Sequence, residues 1–241
     1  LLLSGNGWAN GVIEPATNQY YLKVYFISGL GADSRVFRHL QLPSPHQPVY
    51  LDWITPQQDE SLSHYAIRLA QGIDTTEKFG LVGLSFGGML AIEIAKKFKP
   101  EVLVLISSVS CTQQLPFYYK LAGKLRLHKL LPVSLFLHAS VLKRIFTTET
   151  SEDKKILREM IRNCDHKFVK WAFHAVLTWD HGLPTVPCIH IHGSRDGILP
   201  CRFTQPTHII KKGGHLMVLN RPREINRVLS DVFSRIDLAG A

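Results

Sequence analysis

Three side chains, far apart in the chain, are the ones whose types and settings could break a bond together. The segment Gly83-Leu84-Ser85-Phe86-Gly87-Gly88 places a hydroxyl where an apolar run, residues 79–84, meets a helix-forming run, residues 86–98. A strand turning sharply into a helix holds its junction residue in strained backbone, and side chains beside it would collide, so glycine stands on either side. A serine hydroxyl is a weak nucleophile near neutral pH until an imidazole takes its proton. That imidazole must itself be held in one tautomer by a third group.

Candidates for both partners lie downstream, each just beyond an apolar run. Asp196 sits in His192-Gly193-Ser194-Arg195-Asp196-Gly197-Ile198-Leu199-Pro200, after residues 188–192, and His215 sits in Gly213-Gly214-His215-Leu216-Met217, after residues 208–210. Of the twelve histidines, His215 alone combines a loop after a strand with two preceding glycines. Asp52 follows a different strand, and Asp165 and Asp180 fall in a segment rich in surface charge, so Asp196 is the expected acid. A phosphate-binding loop would carry a lysine after its glycines, and none follows here. His190 and His192 alternate along one strand and face the same side. As metal ligands they would need a third donor and an open position, and no carboxylate at helical spacing supplies one, so they are expected to be structural.

These groups need a rigid frame. Residues 22–28, 49–53, 79–84, 102–106, 188–192 and 208–210 carry strand patterns, while residues 61–73, 86–98 and 221–236 have helical spacing, the first behind a Ser61 cap and the last behind Asn220. Asp33 is placed to cap a short helix. Strands alternating with helices predict an α/β fold, a mostly parallel central sheet with helices on both faces. Residues 112–183 break the alternation with helical segments rich in Leu, Phe, Lys and His. They are expected to form a lid inserted into a core of residues 1–111 and 184–241, over the carboxyl ends of the strands, where such sheets bind ligands.

From residue 22 to residue 236 the chain resembles the α/β-hydrolase superfamily, and small lid-bearing esterase and thioesterase-like members in particular. Three stretches carry the likeness: Gly83 to Gly88 as nucleophile elbow, His192-Gly193 through Asp196 to Pro200 as acid loop, and Gly214-His215 as base loop. The order serine, aspartate, histidine agrees. The resemblance implies a serine hydrolase without metal or organic cofactor, acting on a small-molecule ester or thioester of a small to medium hydrophobic acyl group. Ser85 would be its nucleophile, His215 its base and Asp196 the orienting acid, with backbone N–H groups of Phe86 and Leu30 as oxyanion hole. The same frame also supports carbon–carbon bond hydrolases, lyases and cofactor-free oxygenases, or a binding protein without turnover.

Three features depart from the usual pattern. Ser28-Gly29 stands where many relatives have His-Gly, and Asn220 stands where many have an acidic residue. Only about 19 residues separate Asp196 from His215, too few for a full crossover helix, so residues 200–207 are expected to replace it.

The bulk properties narrow the field further. At 241 residues with 45% hydrophobic and 20% charged content, the chain suits one globular domain with an insertion. No apolar stretch is long enough to span a bilayer. The first residues, Leu1 to Gly5, lack an initiator Met and a basic segment, so they do not resemble an intact signal peptide. Cys111, Cys164, Cys188 and Cys201 form no Cys-x-x-Cys pair and are expected to be reduced, buried thiols in a cytoplasmic protein. Residues 112–182 carry twelve Lys and Arg against six Asp and Glu, which is +6 of the net +9. Within it, the basic face of residues 121–146, with Lys124, Arg126, Lys129, Lys143 and Arg144, would suit an acidic carrier protein or an anionic surface. It contains no nucleic-acid-binding module.

Overall fold

The computed structural model describes residues 21–125, 150–182 and 186–240. Its centre is a six-stranded sheet in the order β2-β1-β3-β4-β5-β6. The strands are β1 (Lys23–Ile27), β2 (Gln47–Leu51), β3 (Phe79–Leu84), β4 (Val102–Ile106), β5 (Ile189–Gly193) and β6 (His208–Ile210). Every neighbouring pair is parallel. Side chains alternate between the faces of each strand, and here both faces are covered. Tyr25, Ile27, Leu81, Leu103 and Leu105 point into one core, while Val24, Phe26, Val82, Val104 and Ile106 point into the other. This two-sided burial accounts for near-continuous apolar runs in β3 and β4.

The first core is closed by α1 (Leu62–Leu69) and α2 (Phe86–Phe98). The second receives Ile225, Leu229 and Phe233, a helical stripe on α7 (Pro222–Gly240). Between β4 and β5 lie α3 (Phe117–Lys124), α4 (Ser151–Arg162) and α5 (His166–Leu177). Thr150 and Asp165 cap the latter two by accepting the backbone N–H groups of Asp153 and Lys167. Of the residues expected in the insertion, 126–149 and 183 lie outside the described residues, as do 184 and 185 of the expected core. Among the described residues no helix is long and apolar enough to cross a membrane.

Several boundaries differ from the sequence expectation. Strand β2 runs from Gln47 to Leu51, not 49–53, with its first residue paired to Lys23. Pro48 hides the strand in sequence, yet β2 is an edge strand and tolerates a residue without an N–H. The helix after Ser61 ends at Leu69 and tightens into a 3-10 turn, Ala70–Gly72. Asn220 does not cap the last helix: it ends a short helix, α6 (Met217–Asn220), and α7 opens on Pro222, a residue suited to the first helical position because its N–H would have no partner there. Between β5 and β6 only a 3-10 turn, Cys201–Phe203, replaces the usual helix. All four cysteines are free, Cys111 buried and the other three half-buried.

Candidate active site

Ser85 stands at the junction of β3 and α2 with φ 53° and ψ −117°, a conformation that costs a non-glycine residue about 1–3 kcal/mol. The surroundings hold it there. Its N–H donates to the Ile106 carbonyl at 2.9 Å, and its own carbonyl accepts from Gly88 N–H at 2.9 Å and from the Ser108 hydroxyl at 2.7 Å. The flanking glycines are required by close approach: a Cβ at Gly83 would overlap the Gly88 backbone, and one at Gly87 would run into the carbonyls of Ile27 and Ser28.

The loops after β5 and β6 deliver the other two side chains as a joined pair. Ser194 N–H donates to Ile210 O at 3.0 Å and Arg195 N–H to Gly213 O at 2.8 Å, so the two loops are bonded to each other before any side chain is considered. His215 Nδ1 lies 2.8 Å from Asp196 Oδ2, and its Nε2 lies 2.9 Å from Ser85 Oγ. Proton positions follow from the partners. An ionised carboxylate only accepts, so His215 Nδ1 carries the proton; Nε2 then offers a lone pair, and the Ser85 hydroxyl donates to it.

The Asp196 carboxylate is fully buried. Burial alone would push its pKa up, but the neighbouring His215 charge and hydrogen bonds from His192 and His215 outweigh that and hold it well below the usual carboxylate range. Asp196 Oδ1 accepts from the N–H groups of Ile198 and Leu199, each at 2.9 Å. The other acids considered from sequence are elsewhere: Asp52, Asp165 and Asp180 are all exposed, and Asp165 caps α5.

Leu30 and Phe86 flank the serine. Phe86 is the first residue of α2, where a helical N–H has no acceptor within its own helix. Leu30 follows Gly29, whose Cβ, if present, would lie 3.4 Å from Ser85 Cβ, so the loop after β1 passes directly against Ser85. That loop is braced by Ser28 Oγ and Trp53 Nε1, which both donate to the Ala32 carbonyl, at 2.9 and 2.8 Å. Ser28 thus bonds within the loop at the position where histidine is common. Trp53 was not anticipated; its only sequence signal is its place just past the end of β2.

The Trp53 ring also packs with Phe86 and Phe168, at centroid distances of 5.8 and 5.0 Å. Beside this aromatic group is an open cleft of about 270 Å³ lined by Gly31, Ala32, Trp53, Met160, Cys164 and Phe168 among others. Ser85 is not part of its lining.

His190 and His192 meet each other, with Nε2 of the first 3.0 Å from Nδ1 of the second. Burial, and then the adjacent His192, pull the His190 pKa down to about 4, against a smaller opposing pull from the Ser108 backbone. His192 Nε2 lies 2.7 Å from Leu199 O and 3.3 Å from Asp196 Oδ2, a contact that spacing along the strand did not reveal. Among the described residues no three His, Cys, Asp or Glu side chains group as a metal site.

A parallel sheet with a serine at a strand-to-helix elbow, and an aspartate and histidine on successive loops, defines an enzyme of the α/β-hydrolase class. The chain matches the alpha/beta hydrolase family over residues 24–228 and belongs to it. No curated protein sequence matches the chain. Solved structures share its fold. A thermophilic esterase from Thermogutta terrifontis superposes with a TM-score of 0.65 at 17% identity, covering 90% of each chain. An esterase from Exiguobacterium antarcticum has a TM-score of 0.66 at 14% identity, covering 89% of this chain and 91% of its own. A bromoperoxidase from Bacillus anthracis has a TM-score of 0.67 at 15% identity, covering 87% and 91%.

Proposed function

We propose that this hydrolase cleaves an ester or thioester of a small to medium hydrophobic acyl group through an acyl-enzyme on Ser85. The observation that carries the reading is the continuous line of hydroxyl, imidazole and carboxylate, with contacts of 2.9 and 2.8 Å. In the first half-reaction Ser85 Oγ attacks the carbonyl carbon while its proton passes to His215 Nε2. The resulting imidazolium is stabilised by Asp196, and the N–H groups of Phe86 and Leu30 hold the oxyanion. His215 then protonates the leaving alcohol or thiol. In the second half-reaction it takes a proton from water, which attacks the acyl carbon and regenerates the serine.

Residues 112–183 serve as the lid over a core of residues 1–111 and 184–241. Supporting this, Phe168 and Trp171 of α5 reach the Phe86 ring, at centroid distances of 6.5 and 6.0 Å. The cleft offers Trp53, Ile54, Met160 and Phe168 to an apolar group, with the polar Asp33, Arg35, Asn163 and Asp165 also in its lining. On the outside of the same helices Lys155, Arg158, Arg162, Lys167 and Lys170 are exposed, which suits an acidic acyl carrier or another anionic surface.

The test is direct. Wild-type protein should hydrolyse p-nitrophenyl or thioester substrates and take a fluorophosphonate label on Ser85, and Ser85→Ala should lose both. Retention of most hydrolysis by Ser85→Ala would overturn the mechanism. Turnover of a carbon–carbon or halogenation substrate in place of every ester would move the chain to another reaction on the same frame.

A further inference from the structure

The acid of the site has a second imidazole against it. Asp196 Oδ2 faces His215 Nδ1 at 2.8 Å and His192 Nε2 at 3.3 Å. The Leu199 carbonyl, 2.7 Å from the same His192 nitrogen, can only accept, so His192 Nε2 carries a proton. With one proton on each ring, the 3.0 Å contact between His192 Nδ1 and His190 Nε2 has one solution: His190 donates and His192 accepts. The remaining nitrogen, His190 Nδ1, is buried with no partner at hydrogen-bond distance, the Ser108 backbone acting on the ring from further off. A directed chain results, from His190 to His192 to the oxygen that also receives His215.

From this geometry, and resting on the assignment of Asp196 and His215 above, we propose that His192 is a positioning residue for the Asp196 carboxylate, kept in its donating tautomer by His190. Two consequences follow. The carboxylate is held against rotation, with Oδ1 tied to two backbone N–H groups and Oδ2 bonded to His215 and faced at 3.3 Å by the His192 N–H that also serves the Leu199 carbonyl. Its charge is also shared, because a proton donated by His192 leaves less negative charge to stabilise the His215 imidazolium. His192 therefore sets how strongly His215 holds a proton as well as where it points. The titratable groups in contact with the His192 ring are Asp196, from the loop beyond β5, and His190, on its own strand.

His192→Phe keeps a planar ring and removes the donor. It should lower kcat about tenfold to a hundredfold, the loss typical of removing a partner that orients a reacting group. KM should hold, and the acid limb of the kcat/KM profile should move to higher pH, because Asp196 now gives its whole charge to His215. His192→Gln, whose amide N–H reaches the Nε2 position, should restore most of the rate and return the limb toward wild type. A purely structural histidine would change thermal stability without moving that limb. The wild-type protein offers a check that needs no variant: nitrogen NMR of histidine-labelled enzyme should find His192 protonated at Nε2 and unprotonated at Nδ1. The opposite tautomer, or a folded His192→Phe with the wild-type rate and acid limb, would overturn the proposal. If Ser85→Ala keeps its activity the site reading itself fails; if Ser85→Ala is inactive while His192→Phe is indistinguishable from wild type, only the positioning role fails.

Discussion

Replacing Asp196 by Asn removes one charge and almost no volume, and the surroundings decide which way the new amide must face. Oδ1 accepts two backbone N–H groups, from Ile198 and Leu199, both at 2.9 Å. Turning the amide nitrogen toward them would strand two buried donors at about 1–3 kcal/mol each, so the amide oxygen takes the Oδ1 place. The NH2 group then occupies the Oδ2 place, 2.8 Å from His215 Nδ1. Two donors cannot share that contact. His215 shifts its proton to Nε2 and accepts at Nδ1, and Ser85 Oγ, 2.9 Å away, now faces an N–H instead of a lone pair. The fold survives and the proposed base is lost. Where a buried triad aspartate has been replaced this way in another serine hydrolase the rate falls by about 10⁴. The expected loss in kcat here is about 10³-fold to 10⁴-fold, or about 4–5.5 kcal/mol of transition-state stabilisation. KM should change little, because no substrate contact is removed. Steady-state hydrolysis of a p-nitrophenyl ester near neutral pH, with circular dichroism to verify folding, is sufficient. A folded Asp196→Asn enzyme within tenfold of wild type would refute the assignment of the acid.

Two further outcomes follow from contacts already described. Trp53→Phe keeps the aromatic packing but loses the 2.8 Å bond to Ala32 O, so stability to urea should fall by about 1 kcal/mol. The rate should fall as well, because the loop bearing Leu30 loses a brace; unchanged stability and rate would show that Ser28 suffices. The depressed pKa of Asp196 also has a stability consequence. Its folded pKa lies below the unfolded value of about 3.9, so its contribution is fully present above that pH and is lost as pH falls through the folded pKa. The stability gap between wild type and Asp196→Asn, measured by denaturant unfolding, should narrow as pH falls below about 4; a gap that widens between about pH 4 and pH 2 would contradict the sign.

The parts of this site legible from sequence are those written in short, local patterns. Ser85 is visible because its elbow needs particular neighbours, and Asp196 and His215 because each follows a strand in a glycine-bearing loop. The α/β order is visible because β3 and β4 are buried on both faces. What escaped depends on distances across the sheet. Trp53 reaches Ala32 only because β1 and β2 pair in register, and that register is masked by Pro48. The meeting of His192 with Asp196 depends on how the loop beyond β5 folds back, which alternation along the strand does not encode. Asn220 was misjudged by the same limit: a capping residue before an amphipathic run looks like a start, yet an extra turn of helix intervenes.

The backbone bonds between the acid and base loops divide the site unequally. Asp196 and His215 travel together, anchored at β5 and β6, whereas Ser85 is tethered to the β4 side through Ile106 and Ser108. The seam between these halves runs along the β4–β5 pairing, from Val104 opposite Ile189 to Ile106 opposite Ile191, and continues in the bond from Ser107 N–H to Ile191 O. A slight change of twist along that seam would leave each half intact and alter the hydroxyl-to-imidazole gap, so on the proposed mechanism substitutions buried under it would tune the rate without touching Ser85, His215 or Asp196.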